Sequence, residues 1–331
     1  MFIVQDYSVA VFFCVITMIC WGSWANTQKL SASTWRFELF YWDYVIGIVA
    51  FSLLLALTFG SVGEQGRPFI DDLRQADREN ISSAFIGGVI FNAANILLVA
   101  AIAIAGMSVA FPVGIGLALV IGVVVNYLSV PVGNIFLLFG GVAFIVIAIL
   151  LNSGAYRRMM SGQRSISTKG LMLSIVSGAM MGLFYKYVAA SMFQDFTQPE
   201  AGKLSPYTAV FIFSLGILTS NFIFNSLLMR YPFTGAPVSY SDYFRGSFRS
   251  HMTGVLGGSI WCLGMSFNII AAGKAGPAIS YGLGQGATVV AALWGIYIWK
   301  EFKQAPKGTD TILKIMLLCF AMGLVMIILS R

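Results

Sequence analysis

Long apolar runs alternate with short polar gaps along the whole chain. Ten of the runs are long enough to cross a bilayer as a helix, since about 20 residues span its hydrocarbon core. We predict these spans near residues 7–27, 37–60, 81–104, 108–128, 134–152, 169–191, 206–229, 252–272, 276–299 and 309–329. None of the gaps is long enough for a soluble domain. The pattern therefore predicts an all-α polytopic membrane protein with about ten transmembrane helices.

The ten runs divide into two sets of five with matching glycines. Laying Gly87-Gly88 over Gly257-Gly258 and reading on without a gap also matches Gly106 with Gly276, Gly114 with Gly284 and Gly116 with Gly286. Because five is odd, the second set enters the membrane in the opposite sense, as in the inverted repeats of many secondary transporters. We predict two inverted five-helix repeats, at 1–152 and 169–331, joined by a basic cytoplasmic linker at 153–168. Accidental similarity between hydrophobic helices is the alternative.

Composition supports a membrane protein and excludes other classes. The chain is 58% hydrophobic and 10% charged, whereas a soluble domain has about 25% charged residues. Its net charge of +7 lies in the gaps between spans, where it orients the protein in the bilayer, so no nucleic-acid partner is predicted. The four cysteines lie inside apolar runs without ligand spacing, so we predict no disulfide, metal or cofactor. No cleavable signal is evident, and the first span is expected to be retained.

The basic residues predict the orientation. The gaps on the side of the N-terminus carry six Lys and Arg residues, and the opposite side carries thirteen, among them Arg164 in the central linker. By the positive-inside rule, both termini are expected on the non-cytoplasmic side of the membrane.

Two carboxylates stand at the start of the second span. Glu38 begins it, and Asp43 lies roughly two turns inside. An ionised carboxylate in lipid costs at least about 2.5–3.5 kcal/mol, so such residues face protein or a water-filled cavity and mark functional sites. Asp43 is the leading functional candidate. The alternative is that it lies at headgroup depth and caps the helix.

The other polar groups inside spans are few. The candidates for a binding site are Trp21, Trp24, Tyr44, Asn92, Asn95, Asn268, Tyr281 and Gln285. Asn92 and Asn95 are three apart and share a helix face, as do Tyr281 and Gln285. Amide, hydroxyl and indole groups can bind a neutral polar solute without burying a net charge. The alternatives are hydrogen bonds between helices and an aromatic belt at the membrane surface.

Two basic side chains need separate interpretation. Lys186 is the basic residue well inside a span. It either binds a carboxylate or an anionic substrate group, or extends from the helix end to the membrane surface. His251, the single histidine, is assigned to the loop before the eighth span, and no function is predicted for it. No paired-histidine metal site, nucleophile elbow or P-loop occurs. We therefore predict that the protein is not an enzyme and that it moves a solute by gradient-driven transport or facilitated diffusion.

These residues, taken with several short motifs, resemble a known family. The motifs are Gly22-Ser23-Trp24, Tyr41-Trp42-Asp43-Tyr44, Thr58-Phe59-Gly60, Gly106-Met107-Ser108-Val109, Asn126-Tyr127, Pro206-Tyr207-Thr208-Ala209 and Leu293-Trp294-Gly295 with Lys300-Glu301-Phe302. In this order they resemble the ureide permeases and, more distantly, the bacterial glucose/ribose and rhamnose porters of the drug/metabolite transporter (DMT) superfamily, which has the EamA-like fold.

The resemblance implies a ten-helix carrier of the bacterial inner membrane. Its partners would be protons, with sodium as the other candidate ion, membrane lipid and a small neutral solute, either a monosaccharide or a ureide or nucleobase. A homodimer stays open. We hypothesise that Asp43, with Glu38 beside it, exchanges the coupling proton. The alternatives are a DMT-type exporter of drugs or metabolites and, from another class, a non-transporting membrane scaffold or sensor.

Overall fold

The structure is a computed structural model that describes residues 1–31, 35–159 and 167–331. Residues 160–166 of the predicted linker, among them Arg164, lie outside the described residues. The described part is helical. Its helices are α1 (Tyr7–Ser23), α2 (Phe37–Leu57), α3 (Phe69–Gln75), α4 (Arg78–Ala105), α5 (Met107–Ser129), α6 (Ile135–Met159), α7 (Thr168–Ser191), α8 (Pro206–Arg230), α9 (Tyr240–Phe244), α10 (Phe248–Ala275), α11 (Pro277–Gly284), α12 (Ala287–Leu293) and α13 (Thr309–Ile328).

Within these ranges, ten helical segments are long and apolar enough to cross a membrane, which confirms the predicted number of spans. α1 continues into a 3₁₀ segment, Trp24–Leu30, and these together form the first span. α11, α12 and a π-helical turn, Trp294–Ile298, form the ninth. The short helices α3 and α9 precede the third and eighth spans, and both lie outside the spanning segments.

Several spans differ from the prediction, and α6 ends at Met159, inside the predicted linker, rather than at 152. α10 begins at Phe248 rather than 252, because the Ser247 hydroxyl accepts a hydrogen bond from the Ser250 amide and starts the helix one turn earlier. His251 therefore lies within a helix, and its assignment to a loop is wrong. The ninth span was predicted as continuous, but it is interrupted between Gly284 and Ala287. Glycine destabilises a helix interior by roughly 0.5–1 kcal/mol, so the glycines on both sides of Gln285 favour the break.

Contacts between helices come in matched pairs. α4 packs against α7 and α8, and α10 packs in the same way against α1 and α2. α5 packs against α7, as α11 and α12 pack against α1. α6 packs against α13, its own counterpart in the second half. An inverted repeat predicts this arrangement, because exchanging the two halves must reproduce every interface. The repeat boundaries themselves stay a prediction.

The matched glycines Gly88 and Gly258 lie at equivalent close approaches. A Cβ on Gly88 would meet the Phe213 carbonyl of α8, and a Cβ on Gly258 would meet the Tyr44 carbonyl of α2. Gly47 approaches the backbone of α10 in the way that Gly216 approaches that of α4. Each of these glycines allows two helix backbones to touch. The sequence expectation that glycines mark such contacts is therefore confirmed at these positions.

Candidate functional site

A cavity of about 230 Å³ lies between helices of both halves. None of its lining side chains carries a charge. They are Trp21, Trp24, Ala25, Phe91, Asn95, Leu98, Phe111, Ile115, Met181, Phe184, Trp261, Gln285, Ala287, Thr288 and Ala291, with the backbone of Gly22. Of the residues predicted to line a site, Trp21, Trp24, Asn95 and Gln285 are brought together here.

Aromatic rings form one wall of this central cavity. The rings of Trp21 and Trp261 lie 6.0 Å apart with an interplanar angle of 13°, and Trp261 lies 4.5 Å from Phe91. The Trp21 indole Nε1 donates a hydrogen bond of 3.2 Å to the Trp261 carbonyl, so α1 is fixed against α10. Flat aromatic faces held in this way can stack on a planar solute. Trp261 itself was not predicted, because nothing in the sequence of the eighth span distinguishes it.

A chain of hydrogen bonds orients Asn95 in the cavity lining. The Asn95 Nδ2 donates to the Tyr41 hydroxyl at 3.0 Å, and that hydroxyl donates to the Asn92 Oδ1 at 2.9 Å. The Asn92 Nδ2 donates to Ser220 on α8 at 2.9 Å. Asn92 is fully buried and does not line the cavity. It positions Asn95 through Tyr41, which the sequence had not assigned.

The break in the ninth span supplies the other polar groups. Gln285 lies in the interruption, and Thr288 lies in the first turn of α12. Gly284 is packed closely against Trp21 and Asn268, so the broken backbone approaches the aromatic wall. In transporters, interrupted helices of this kind form substrate and ion sites near the middle of the bilayer.

Three other predicted residues brace the helices around the cavity without lining it. The Tyr281 hydroxyl donates to the carbonyls of Ala118 and Met181, both at 3.2 Å. The Asn268 Nδ2 donates to the Ser280 carbonyl at 2.8 Å. The Tyr44 ring lies 4.6 Å from that of Trp24, behind the cavity wall. All three side chains are fully buried in the helix interfaces, which is why they do not reach the cavity.

Lys186 is exposed on the outside of α7 and is absent from the cavity lining. It lies five residues before the end of that helix. The structure thus favours extension to the membrane surface over a contact with substrate.

Asp43 is 2% exposed and is bound by two side chains from other elements. Its Oδ1 accepts a hydrogen bond of 2.6 Å from the Tyr243 hydroxyl of α9. The His251 Nδ1 lies 2.9 Å from Oδ1 and 3.0 Å from Oδ2. Asp43 therefore does not cap the start of α2, and the pair with His251 is a feature that the sequence analysis missed. The capping serine Ser247 was the signal that could have put His251 in a helix.

The neighbouring groups stabilise the carboxylate. Tyr243 lies outside the spanning segments. Burial raises the pKa of its hydroxyl, and the hydrogen bond to Asp43 raises that pKa further, so the phenol remains a donor at physiological pH. The His251 ring also meets Trp35 edge-on at 5.0 Å and Tyr243 at 4.8 Å. We call Asp43, His251 and Tyr243 the carboxylate cluster.

Glu38 has a different environment. Its Oε1 lies 2.5 Å from the Arg36 Nη2, and its Oε2 accepts from the Arg36 Nε at 3.1 Å. Arg36 also donates to the carbonyls of Thr234 and Ala236. Through these two carbonyls, Arg36 fastens the start of α2 to the segment that precedes α9. Glu38 is thus paired and is not part of the carboxylate cluster.

Comparisons with known proteins identify the family. A family model for ureide permeases matches residues 40–165 and 155–330. Ureide permease 1 of Arabidopsis thaliana is 21% identical over 386 residues, which cover 100% of this chain and 99% of that protein. Ureide permease 2 of the same plant is 22% identical over 384 residues, covering 97% and 96%. Probable ureide permease A3 of Vigna unguiculata is 34% identical over 116 residues, covering 34% and 31%.

A crystal structure of a protein with 14% sequence identity superposes with a TM-score of 0.59 over 96% of both chains. That likeness supports the fold alone. The ten spans and the central cavity define a multi-pass integral membrane protein. Since the family model covers nearly the whole chain, this chain belongs to the ureide permease family.

Proposed function

We propose that the protein is a secondary active transporter that takes up a small planar ureide or nucleobase. The observation that carries this proposal is the uncharged cavity between the two halves, whose lining combines aromatic rings with the amide groups of Asn95 and Gln285. A ureide presents a flat face and several N–H and C=O edges. Stacking on Trp21, Trp24 and Trp261 suits the face, and the carboxamides of Asn95 and Gln285 suit the edges.

The cavity argues against the competing transport function. Pockets for drug-sized ligands measure about 300–1,000 Å³, whereas this one measures about 230 Å³. An exporter of cationic drugs also needs an acidic group at its site, and the lining has none. A scaffold or sensor has no need of an interrupted span beside a cavity between the two halves.

In the proposed cycle, rocking of the two repeats exposes the cavity to each side of the membrane in turn. Uptake is driven by protons, and the coupling site includes Asp43. The protein lies in the inner membrane of a bacterium with both termini on the non-cytoplasmic side, as the distribution of basic residues favours. Membership of the DMT superfamily and a homodimeric assembly belong to the same proposal.

The first test is ligand binding by the purified protein in liposomes. Ureides, nucleobases and monosaccharides are compared by thermal shift, since a ligand that binds only the native state stabilises it by about 2.7 kcal/mol at one hundred times its Kd. We expect a ureide or nucleobase to raise the melting temperature. Stabilisation by a monosaccharide alone would favour the sugar porters, and stabilisation by cationic dyes alone would favour the exporter.

A variant pair locates the site. Gln285→Ala removes an amide from the cavity, and the loss of one hydrogen bond worth about 1.4 kcal/mol weakens binding about tenfold. Gln198→Ala removes the same group from an exposed loop and is expected to leave the Kd unchanged. Equal affinities of the two variants would rule out Gln285 as a binding residue.

A further inference from the structure

The carboxylate cluster has two groups between which the tasks of carrying a proton and of balancing its charge can be divided. We propose that His251 carries the coupling proton and that Asp43 is its permanently ionised counter-ion. This inference rests on the proposed function, because it assumes a proton-driven carrier. It changes the hypothesis that Asp43 itself exchanges the proton.

The contacts of Asp43 favour the ionised state. Its carboxylate accepts the Tyr243 O–H at 2.6 Å and faces the His251 Nδ1 through both oxygens, at 2.9 and 3.0 Å. Hydrogen bonds from donors to the charged form stabilise that form. An Nδ1–H is available in the neutral tautomer and in the imidazolium, so Asp43 keeps both donors whether or not His251 is protonated.

The histidine is the more exposed of the two groups. Its side chain is 22% exposed, whereas that of Asp43 is 3% exposed. Its Nε2 points away from the carboxylate, towards Gly246 in the turn after α9. A proton can therefore be gained or lost at Nε2 while Nδ1 holds the carboxylate. Imidazole is the side chain that ordinarily changes charge between pH 5 and 8, the range in which a proton gradient works.

No other charged group competes for this role. Glu38 on α2 is paired with Arg36. Asp242 on α9 is exposed and bonds to Ser239 of its own helix. Arg245, after α9, and Arg249, on α10, are exposed. Among the described residues of the elements packed around the cluster, Tyr243 is the other titratable group that faces the pair, and it acts as a donor.

The matching interface between α4 and α8 lacks this polar pair. In the register that matches Gly88 with Gly258, His251 corresponds to Ile81. The matched contacts of Tyr44 and Phe213 make Asp43 correspond to Ile212. The equivalent positions of α4 and α8 are thus occupied by two isoleucines. Replacing a buried ion pair by apolar residues is often neutral or stabilising, so a polar pair in this interface indicates a purpose other than stability.

Packing contacts connect the carboxylate cluster to the central cavity. Gly254 of α10 lies against the Asp43 side chain, and three residues later Gly257 lies against the Trp24 carbonyl. The ring of Tyr44, next to Asp43, packs on Trp24 at 4.6 Å. α10 also carries Trp261 of the cavity wall. Protonation of His251 turns a site of net charge −1 into a neutral ion pair, and a change in how α2 and α10 pack then reaches both tryptophans.

The direct test uses the fact that His251 is the single histidine in the chain. Protein purified without a histidine tag and labelled with ¹⁵N-histidine gives one imidazole signal in nanodiscs. We expect that signal to titrate between pH 5 and 8. Substrate that binds the protonated form tenfold more tightly raises the midpoint by about one pH unit, because linkage is reciprocal.

The functional test uses His251→Asn, whose amide can still donate to Asp43 but cannot gain a proton. We expect the ratio of pH-driven accumulation to solute counterflow to fall at least tenfold. Arg249→Gln removes an exposed positive charge two residues away and is expected to keep the wild-type ratio. An imidazole that does not titrate from pH 5 to 9, or a wild-type ratio in His251→Asn, would overturn the inference.

These outcomes are separable from failure of the proposed function. If no ureide or nucleobase binds the wild-type protein, the function proposed above is wrong, whatever the imidazole signal does. If the ligand binds and accumulates but His251→Asn accumulates it normally, the function stands and His251 is not the proton carrier.

Discussion

Polar side chains in the membrane core of this protein are linked to one another by hydrogen bonds. Tyr41 receives a hydrogen bond from Asn95 and gives one to Asn92, so one hydroxyl joins a residue of the cavity to the interface between α4 and α8. A lone amide in this environment would be free to rotate. The hydrogen-bonded chain fixes which edge of Asn95 is available to a solute, which is the kind of support that a precise binding site needs.

Tyr41→Phe tests this chain of hydrogen bonds. The change removes one hydroxyl and takes away the partner of the Asn92 Oδ1 and of the Asn95 Nδ2, which costs about 1–3 kcal/mol. We expect a lower melting temperature and a weaker Kd for the transported solute, both measured on protein in detergent. Tyr231→Phe removes a hydroxyl from a 65% exposed tyrosine and serves as the control. Equal effects of the two changes would mean that Tyr41 does not position Asn95.

At this scale the sequence located the polar residues but could not rank them. Asn92 and Asn95 share a helix face, yet Asn95 lines the cavity and Asn92 binds Ser220. The difference depends on which helix stands opposite each residue. Asp43 was singled out because a buried carboxylate is rare in a membrane span. Its partner His251 lies 208 positions further along the chain, and no local pattern connects them.

At the scale of helices, close backbone contacts determine how the two halves fit together. Gly88 and Gly258 occupy equivalent places in α4 and α10, and each touches a backbone carbonyl of the other half of the chain. Neither contact leaves room for a Cβ. Such small-residue contacts let helices pack tightly in lipid.

Gly88→Ala and Gly258→Ala should therefore be similarly damaging. A methyl group driven against a carbonyl oxygen forces the helices apart, and overpacking costs about 1–3 kcal/mol. Gly116→Ala is the control, because a Cβ there has no heavy atom within 4 Å, and replacing glycine at a compatible site stabilises by about 0.4–1 kcal/mol. Thermal unfolding measures all three. A loss of stability at Gly258 without one at Gly88 would contradict the equivalence of the two halves.

The short helices before α4 and α10 break this equivalence. Asp72 of α3 is fully buried, where its Oδ2 accepts from the Ser205 amide at the start of α8 and its Oδ1 binds Arg67 at 3.1 Å. The corresponding Asp242 of α9 is exposed and bonds to its own helix. Thus α3 is fastened to α8, whereas α9 is held to α2 through Tyr243 and Asp43. The short helices on the two faces of the molecule are therefore anchored in different ways.

On the scale of the whole molecule, the central cavity reaches the face opposite the termini. Its two exposed lining residues are Ala25, just after α1, and Ala291, in α12. Both lie on segments that run towards that face. Towards the terminal face, the fully buried rings of Tyr185 and Tyr281 lie 5.2 Å apart and close the path.

Cysteine labelling tests this opening. The four natural cysteines are all buried, so the wild-type protein should react little with a membrane-impermeant maleimide. In sealed vesicles, Ala291→Cys should be labelled from the face opposite the termini, and a bound ureide should slow the reaction. Gln65→Cys, in an exposed loop on the terminal face, should be labelled from the other side and be unaffected by ureide. Labelling of both variants from one side would contradict the arrangement.

The sequence by itself determined the class of protein, the number of spans and the close glycine contacts. These follow from properties of short segments: a run of about 20 apolar residues must span a bilayer, and a glycine permits a close approach wherever it lies. Only the tertiary structure decided which polar residues form the site. It brought Trp261 beside Trp21, broke the ninth span at Gln285 and set His251 against Asp43. Each of these depends on contacts between helices far apart in the chain, and those contacts arise from packing that no local pattern encodes.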